Sequence, residues 1–477
     1  MKRSFILLLL LSFGAKAVWA QNAQSITQAI RYIKLANTLR AVNKSDESVK
    51  LLMRALPATV QAKNLYWEAV TNELLGLSYN DLQDPTRSVR YLEKAREQYA
   101  KLKYVASAWG VNEVIRDISG KNLYAGIQIG ASDIKLAILK TKYETDFYEK
   151  DIKSTITIPN PTVTLFADAS GALRSGQDAL RACLDTIQQY NIPNERVFVV
   201  LSSEVRDQLV KNPEDRKKLY DQLVKVLPNS NLKIDTTLST TRQAELFTVG
   251  AIPRKVWPTT SALELGSNQT VGGYFDANKK FHNISFPFGT NTLVSQIDNK
   301  GTMNLDAFKR EAQRVVKAIA DSSVTPRLKA NDTGLQQRRT VGVSGDIVWA
   351  LVTYLYPEKS DITAVGITLD DVERFKRLAM DDLKTLTRPN LAAIEDPTVR
   401  GKAEKNLNVV QQALNEKQLI AGALWLESIM KSYSADSVPK RFVFIRNADI
   451  GWVTGKFLET INYEYESTIA KGALYTR

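Results

Sequence analysis

The sequence predicts an all-α helical repeat followed by a two-lobed α/β domain in which the order β-β-β-α-β-α occurs twice. Three observations carry this. Apolar residues recur with a period near 3.6 from residue 24 to about 105, the period switches to 2 after Ile118-Ser119-Gly120-Lys121, and two similar successions each open with a strand running into a glycine turn, at Tyr124 and at Ser261. With 477 residues, 44% hydrophobic and 24% charged, the chain has room for about two to four domains, and its composition excludes a wholly disordered chain or a coiled-coil rod.

Residues 1–20 read as a secretory signal peptide: Lys2 and Arg3, an apolar run from Phe5 to Phe13, then Val18-Trp19-Ala20. The mature chain then begins at Gln21. The apolar run is about half the roughly 20 residues of a spanning helix, so no integral membrane segment is expected. Cys183 is the single cysteine, which leaves an exported chain without an internal disulfide and suits a periplasmic or secreted protein. Cys183 and the single His282 are read as structural, and both a Ser-His-Asp triad and a histidine-rich metal site are poor candidates. The formal charge of +13 falls to +10 without Lys2, Arg3 and Lys16. That excess favours polyanions through steering and counterion release, and no specific nucleic acid is expected.

Residues 21–118 form the expected helical domain. Ala36, Leu39, Ser48-Val49, Leu52 and Ala55 recur forty residues later as Gly76, Tyr79, Ser88-Val89, Leu92 and Ala95. Small residues at matched positions let antiparallel helices approach closely, while the large ones fill the groove. The pattern resembles a tetratricopeptide repeat stretched by about six residues, and a plain helical bundle is the alternative. A partner, an envelope protein, is expected on residues 24–103.

Lobe I is expected over 119–257, with strands from Tyr124, at Ile134 to Leu139, at Ser154 to Ile158 and at Val197 to Leu201, a helix through Leu180, Cys183, Leu184 and Ile187, and another over 205–226. Lobe II is expected over 258–477, with strands at Ser261 to Gly266, Thr270 to Phe275, Ile284 to Phe288, Thr340 to Ser344 and Phe442 to Ile445, a helix at Leu305 to Ile319 and further helices to the C-terminus. Two such lobes face one another across a cleft, and the N–H groups of their glycine hairpins can grip a phosphate from both sides.

Six segments then occur in a recognisable order. They are Ile127-Gln-Ile-Gly130-Ala-Ser, Val199-Val-Leu-Ser-Ser-Glu-Val-Arg206, Leu238-Ser-Thr-Thr-Arg-Gln-Ala244, Leu263-Glu-Leu-Gly266-Ser-Asn-Gln-Thr270, Ser285-Phe-Pro-Phe-Gly289 and Val341-Gly-Val-Ser-Gly345, with a late helix from Asn415 to Glu427. In them residues 123–459 resemble the actin-like (RNase H-like) superfamily and, more narrowly, the exopolyphosphatase and guanosine pentaphosphate phosphatase family. The resemblance implies phosphate contacts at Gly130, Ser132, Arg206, Gly266, Ser267, Thr270 and Gly345, and magnesium if hydrolysis survives.

The proton-handling positions depart from the family. Its first aspartate is Gln128, its catalytic glutamate is Gln243, its second aspartate is Glu264, two following glycines are Ser267 and Asn268, a late aspartate is Lys417, and an arginine is Val453. An amide takes no proton, and general-base work is worth about 10²–10⁴ in rate. Glu264 is the catalytic acid left at a family position. Asp133 and Glu245 are other carboxylates nearby, although Glu245, two residues along a helix from Gln243, faces another way. No metal set is legible. The leading expectation is an exported, catalytically degenerate exopolyphosphatase-like protein that binds polyphosphate, another polyanion or phosphorylated ligand, or a protein partner. A secreted active phosphoanhydride hydrolase and a structural adaptor acting through its helical repeat stay open as alternatives.

Overall fold

The computed structural model describes residues 21–470 apart from 131–132, 145–146, 160–170, most of 207–233, and 435–437. The expected signal peptide, Ser132 and most of the expected helix over 205–226 therefore lie outside the described residues. The chain divides into two compact units, residues 1–123 with 462–477, and residues 124–461.

In the first unit five helices follow one another: α1 (Ile26–Ala41), α2 (Ser45–Gln61), α3 (Leu65–Asp81), α4 (Pro85–Lys101) and α5 (Val105–Ile118). Asn43, Lys63, Gln83 and Lys103, spaced 20 residues apart, hold positive φ between 52° and 61° in the connecting turns, and Gly120 repeats the conformation after α5. Each turn closes with the same pair of bonds. At the second turn, for example, Lys63 N–H donates to the Val60 carbonyl and Asn64 N–H to the Thr59 carbonyl, which satisfies the carbonyls a helix end leaves open. Ser25, Asn64 and Asp84 cap the next helix starts with their side chains.

The forty-residue pattern is visible as packing. The Ser88 hydroxyl donates to the Gly76 carbonyl at 2.8 Å, the Ser48 and Ser78 hydroxyls meet at 3.1 Å, and a Cβ on Gly76 would lie 2.5 Å from Leu92 Cγ. Leu52, Leu75, Leu92 and Ala95 are fully buried between the helices.

The second unit holds two sheets. The first runs β3-β2-β1-β4-β5, from β1 (Leu123–Ile129), β2 (Asp133–Glu144), β3 (Phe147–Pro159), β4 (Val197–Leu201) and β5 (Ile234–Asp235). The second runs β10-β11-β9-β6-β7-β8, from β6 (Thr260–Leu265), β7 (Thr270–Phe275), β8 (Phe281–Asn283), β9 (Thr340–Ser344), β10 (Ala364–Ile367) and β11 (Arg441–Ile445). Without the edge strand β10 the two orders are the same, and the central pairs β1·β4 and β6·β9 are both parallel. The duplicated succession is thus a duplicated sheet.

Of the helices, α6 (Gly171–Gln189) packs on β2, α7 (Thr240–Ala251) follows β5, and α8 (Thr290–Ile297), α9 (Leu305–Ile319), α10 (Asp346–Leu355), α11 (Leu369–Asp381), α12 (Pro397–Ala413) and α13 (Glu416–Ser434) belong to the second lobe. The last, α14 (Gly451–Ala470), starts in this unit. Trp425 on α13, fully buried, anchors the larger core against Phe286 and Phe288.

Two short outer strands, β5 and β10, were not expected, and one expected strand is absent. Residues 284–288 are not a strand: β8 is Phe281–Asn283, and Phe286 makes only an isolated bridge to Thr270. Pro287 cannot donate to a ladder, so pairing ends there. Cys183 is buried and its thiol is pushed up to about 12 by burial. His282 meets Asp276 at 2.9 Å and stacks on Tyr274.

Candidate functional site

Both parallel centres end in the same turn, at the carboxyl ends of β1 and β6, where open α/β sheets place their ligands. Gly130 N–H donates to the Asp133 carbonyl at 2.8 Å, and Gly266 N–H donates to the Gln269 carbonyl at 3.0 Å. The third glycine of the series, Gly345, has φ 103°, and a Cβ there would stand 2.1 Å from the Leu265 carbonyl oxygen. Only glycine suits that approach.

The second turn is tightly held by its own lobe. Asn291 N–H, in the first turn of α8, donates to the Ser267 carbonyl at 2.6 Å. The Ser267 hydroxyl donates to Asp346 at 2.8 Å, and the Thr270 hydroxyl donates to the Phe288 carbonyl while accepting from the Trp425 indole, both at 2.9 Å. The side chains of Ser267 and Thr270 thus have partners within the protein. The turn also touches the first lobe, since Asn268 donates to Glu204 at 3.2 Å and Gln269 to the Ser203 hydroxyl at 3.1 Å.

Gln128 and Gln243 are both buried, 2% and 1% exposed. Gln128 donates from Nε2 to the Asp449 carbonyl at 2.9 Å and accepts at Oε1 from Val453 N–H at 3.3 Å. It binds the start of α14 with both ends of its amide, which a carboxylate could not do. Val453 itself is fully buried and packs into the space over Gly126. Gln243 accepts from Ser203 N–H at 2.9 Å and so fixes the turn after β4.

Glu264 is 7% exposed and accepts from the Trp452 indole at 3.1 Å. Burial raises its carboxyl to about 8, against the opposing pull of Lys135. Lys135 stands between two acids, 3.3 Å from Asp133 Oδ2 and 3.2 Å from Asp449 Oδ2. Burial would lower its ammonium, but Asp133, Asp449, Asp346 and Glu264 together hold it well above the usual lysine value. Asp133 is raised by burial despite Lys135, and burial raises Glu204 to about 7. Five carboxylates and one ammonium therefore share this region.

The other singled-out residues lie around it or away from it. Arg206 is half-buried at the helical turn that follows β4. Glu245 pairs with Arg242 of its own helix, and Arg242 also binds Glu459. Lys417 pairs with the buried Asp298 at 2.6 Å and lies over Phe308.

Sequence reasoning missed Lys135, Glu204, Asp346, Asp449 and Trp452. Lys135 left a signal: it interrupts the otherwise apolar run from Ile134 to Leu139, and a lysine there must find acids or leave the core. The acids left none, because residues 133, 204, 264, 346 and 449 meet only through topology. Magnesium does not suit the arrangement, since an ammonium already bridges Asp133 and Asp449, and among the described residues no group of three or more His, Cys, Asp or Glu is placed to hold a metal ion.

No protein-family model and no curated protein sequence matches the chain. Solved structures do. An exopolyphosphatase-like protein is similar over 72% of this chain and 98% of its own, at 15% identity and TM-score 0.51. An exopolyphosphatase from Cytophaga hutchinsonii (14% identity, 74% and 98% covered, TM-score 0.47) and a Ppx/GppA phosphatase of Aquifex aeolicus (12%, 69% and 99%, 0.44) are also matched. The first of these, with the duplicated sheet order, shows what the chain shares: residues 124–461 have the actin-like fold of exopolyphosphatase-like proteins.

Proposed function

We propose that this chain is an exported, catalytically degenerate exopolyphosphatase-like protein that works by binding in its cleft and does not hydrolyse efficiently. One observation carries the reading. The amides of Gln128 and Gln243 are buried and bonded to backbone groups, so neither is available to activate water. Export is supported by the pattern of residues 1–20.

The ligand of first resort is a polyanion such as polyphosphate, favoured by the excess of basic residues. The carboxylates around the two turns set a condition on it. Glu264 and Glu204, raised to about 8 and about 7, lose their charge as pH falls. Polyphosphate should therefore bind more tightly at pH 6 than at pH 8.5, while turnover with magnesium stays at background. Titration of fluorescent polyphosphate, with phosphate release assayed in parallel, tests both. Robust release that disappears in Glu264→Ala would replace this reading with a secreted hydrolase.

A partner on the helical unit is a second reading, favoured by Tyr66 and Tyr104, exposed at 42% and 49%, which pack together with Trp67. Deleting residues 24–103 should abolish capture of an envelope protein and leave residues 124–461 folded. Unfolding of that remainder would make the repeat an intramolecular brace.

A further inference from the structure

We infer that Lys135 is the resident cation of the cleft, its ammonium standing where a metal-dependent phosphohydrolase would need a divalent ion between the two turns. The geometry is specific. Lys135 is on β2, with its neighbours Ile134, Leu136 and Ala137 buried, and its ammonium reaches an oxygen of Asp133, on its own strand, and one of Asp449, in the segment that leads into α14. Asp346 at the start of α10 and Glu264 on β6 add their charge from the second lobe. Two carboxylates thus contact the lysine and two more act on it by charge, and a buried ammonium is tolerable only with such company.

A magnesium ion needs oxygens at about 2.0–2.1 Å in near-octahedral array, and the ammonium already lies at hydrogen-bonding distance from two of the oxygens it would use. Ion and ammonium would also repel at short range in a site of low dielectric. The two cations differ in what they permit. A metal can ionise a bound water, whereas an ammonium supplies only charge and three N–H donors. Lys135 accordingly lets the cleft balance its acids, and meet an anion, with no divalent ion and no activated water.

This inference is independent of the ligand, because cation titration reads the carboxylates with no phosphate present. The probe is terbium luminescence of the full chain excited through tryptophan, Trp452 being bonded to Glu264. Wild type should give no saturable signal. Lys135→Met should gain one that magnesium displaces, with half-saturation at least about tenfold below the highest concentration at which wild type stays unsaturated, Lys135→Arg should stay silent, and adding Asp449→Asn to Lys135→Met should abolish the gain. Equal binding by wild type and Lys135→Met, or a folded Lys135→Met with no gain, overturns the proposal. Should Lys135→Met lose its cooperative melt, recovery of that melt in millimolar calcium or magnesium supports the proposal, and no recovery in either overturns it.

Discussion

Gln128 and Glu264 occupy the same place in the two lobes, two residues before the turn glycine on the first strand of each sheet. Both reach the segment that opens α14, Gln128 through the Asp449 carbonyl and Val453 N–H, Glu264 through the Trp452 indole. They satisfy burial by different means. The amide donates and accepts and carries no charge, so its environment is complete at every pH. The carboxyl accepts one bond, and its charge is held off by burial until about pH 8. One lobe has turned its position into a fixed joint, while the other has kept a group whose state depends on the medium.

The sharpest way to break that comparison is Gln128→Glu. It sets a carboxylate oxygen against the Asp449 carbonyl and should destabilise the second unit by about 2–4 kcal/mol at pH 8 in urea melts, less as acidification lets the new acid donate. A neutral outcome would mean that the amide's two bonds contribute little.

Glu264→Gln should do the reverse. A carboxyl raised in the folded state binds more protons folded than unfolded, so wild type loses stability as pH rises from about 4.5 through about 8. The variant lacks that loss and should gain stability over wild type steadily as pH rises from 5 to 9, as denaturation at a series of pH values will read. Trp452→Phe removes the indole that favours the ionised form, which moves the Glu264 transition upward and costs about 1 kcal/mol at high pH. The smallest expected effect is on hydrolysis. Gln128→Asp with Gln243→Glu should leave polyphosphate turnover within about tenfold of wild type, because groups that act as a unit do not recover one by one and Lys417, Val453, Ser267 and Asn268 remain changed. Full recovery would mean that the rest of the site is intact.

The fold was legible where local pattern decides it. Strands β4, β7 and β9 follow from continuous β-rich runs between turn signals, and the helix at Leu305 to Ile319 from its periodicity. The missed β5 and β10 are short outer strands of two and four residues, with little pattern to read. The glycine turns were legible because a turn is written in adjacent residues. The electrostatics around Lys135 were not, because they are made by acids spread over more than 300 residues, and no local signal records which of them the sheets bring together.

The membership of the first unit bears on the order in which the protein is finished. In sequence α5 is followed by β1 and not by a sixth helix. Within that unit Tyr465, from the far end of α14, lies against Trp109 of α5 with ring centroids 5.1 Å apart. As the ribosome delivers the chain from its N-terminus at about 5–20 residues per second, the repeat emerges first, but its closing aromatic contact waits for residues translated some tens of seconds later. A chaperone that meets the nascent chain finds a repeat whose last helix still presents Trp109, and truncation before residue 462 would leave that face open in the finished protein.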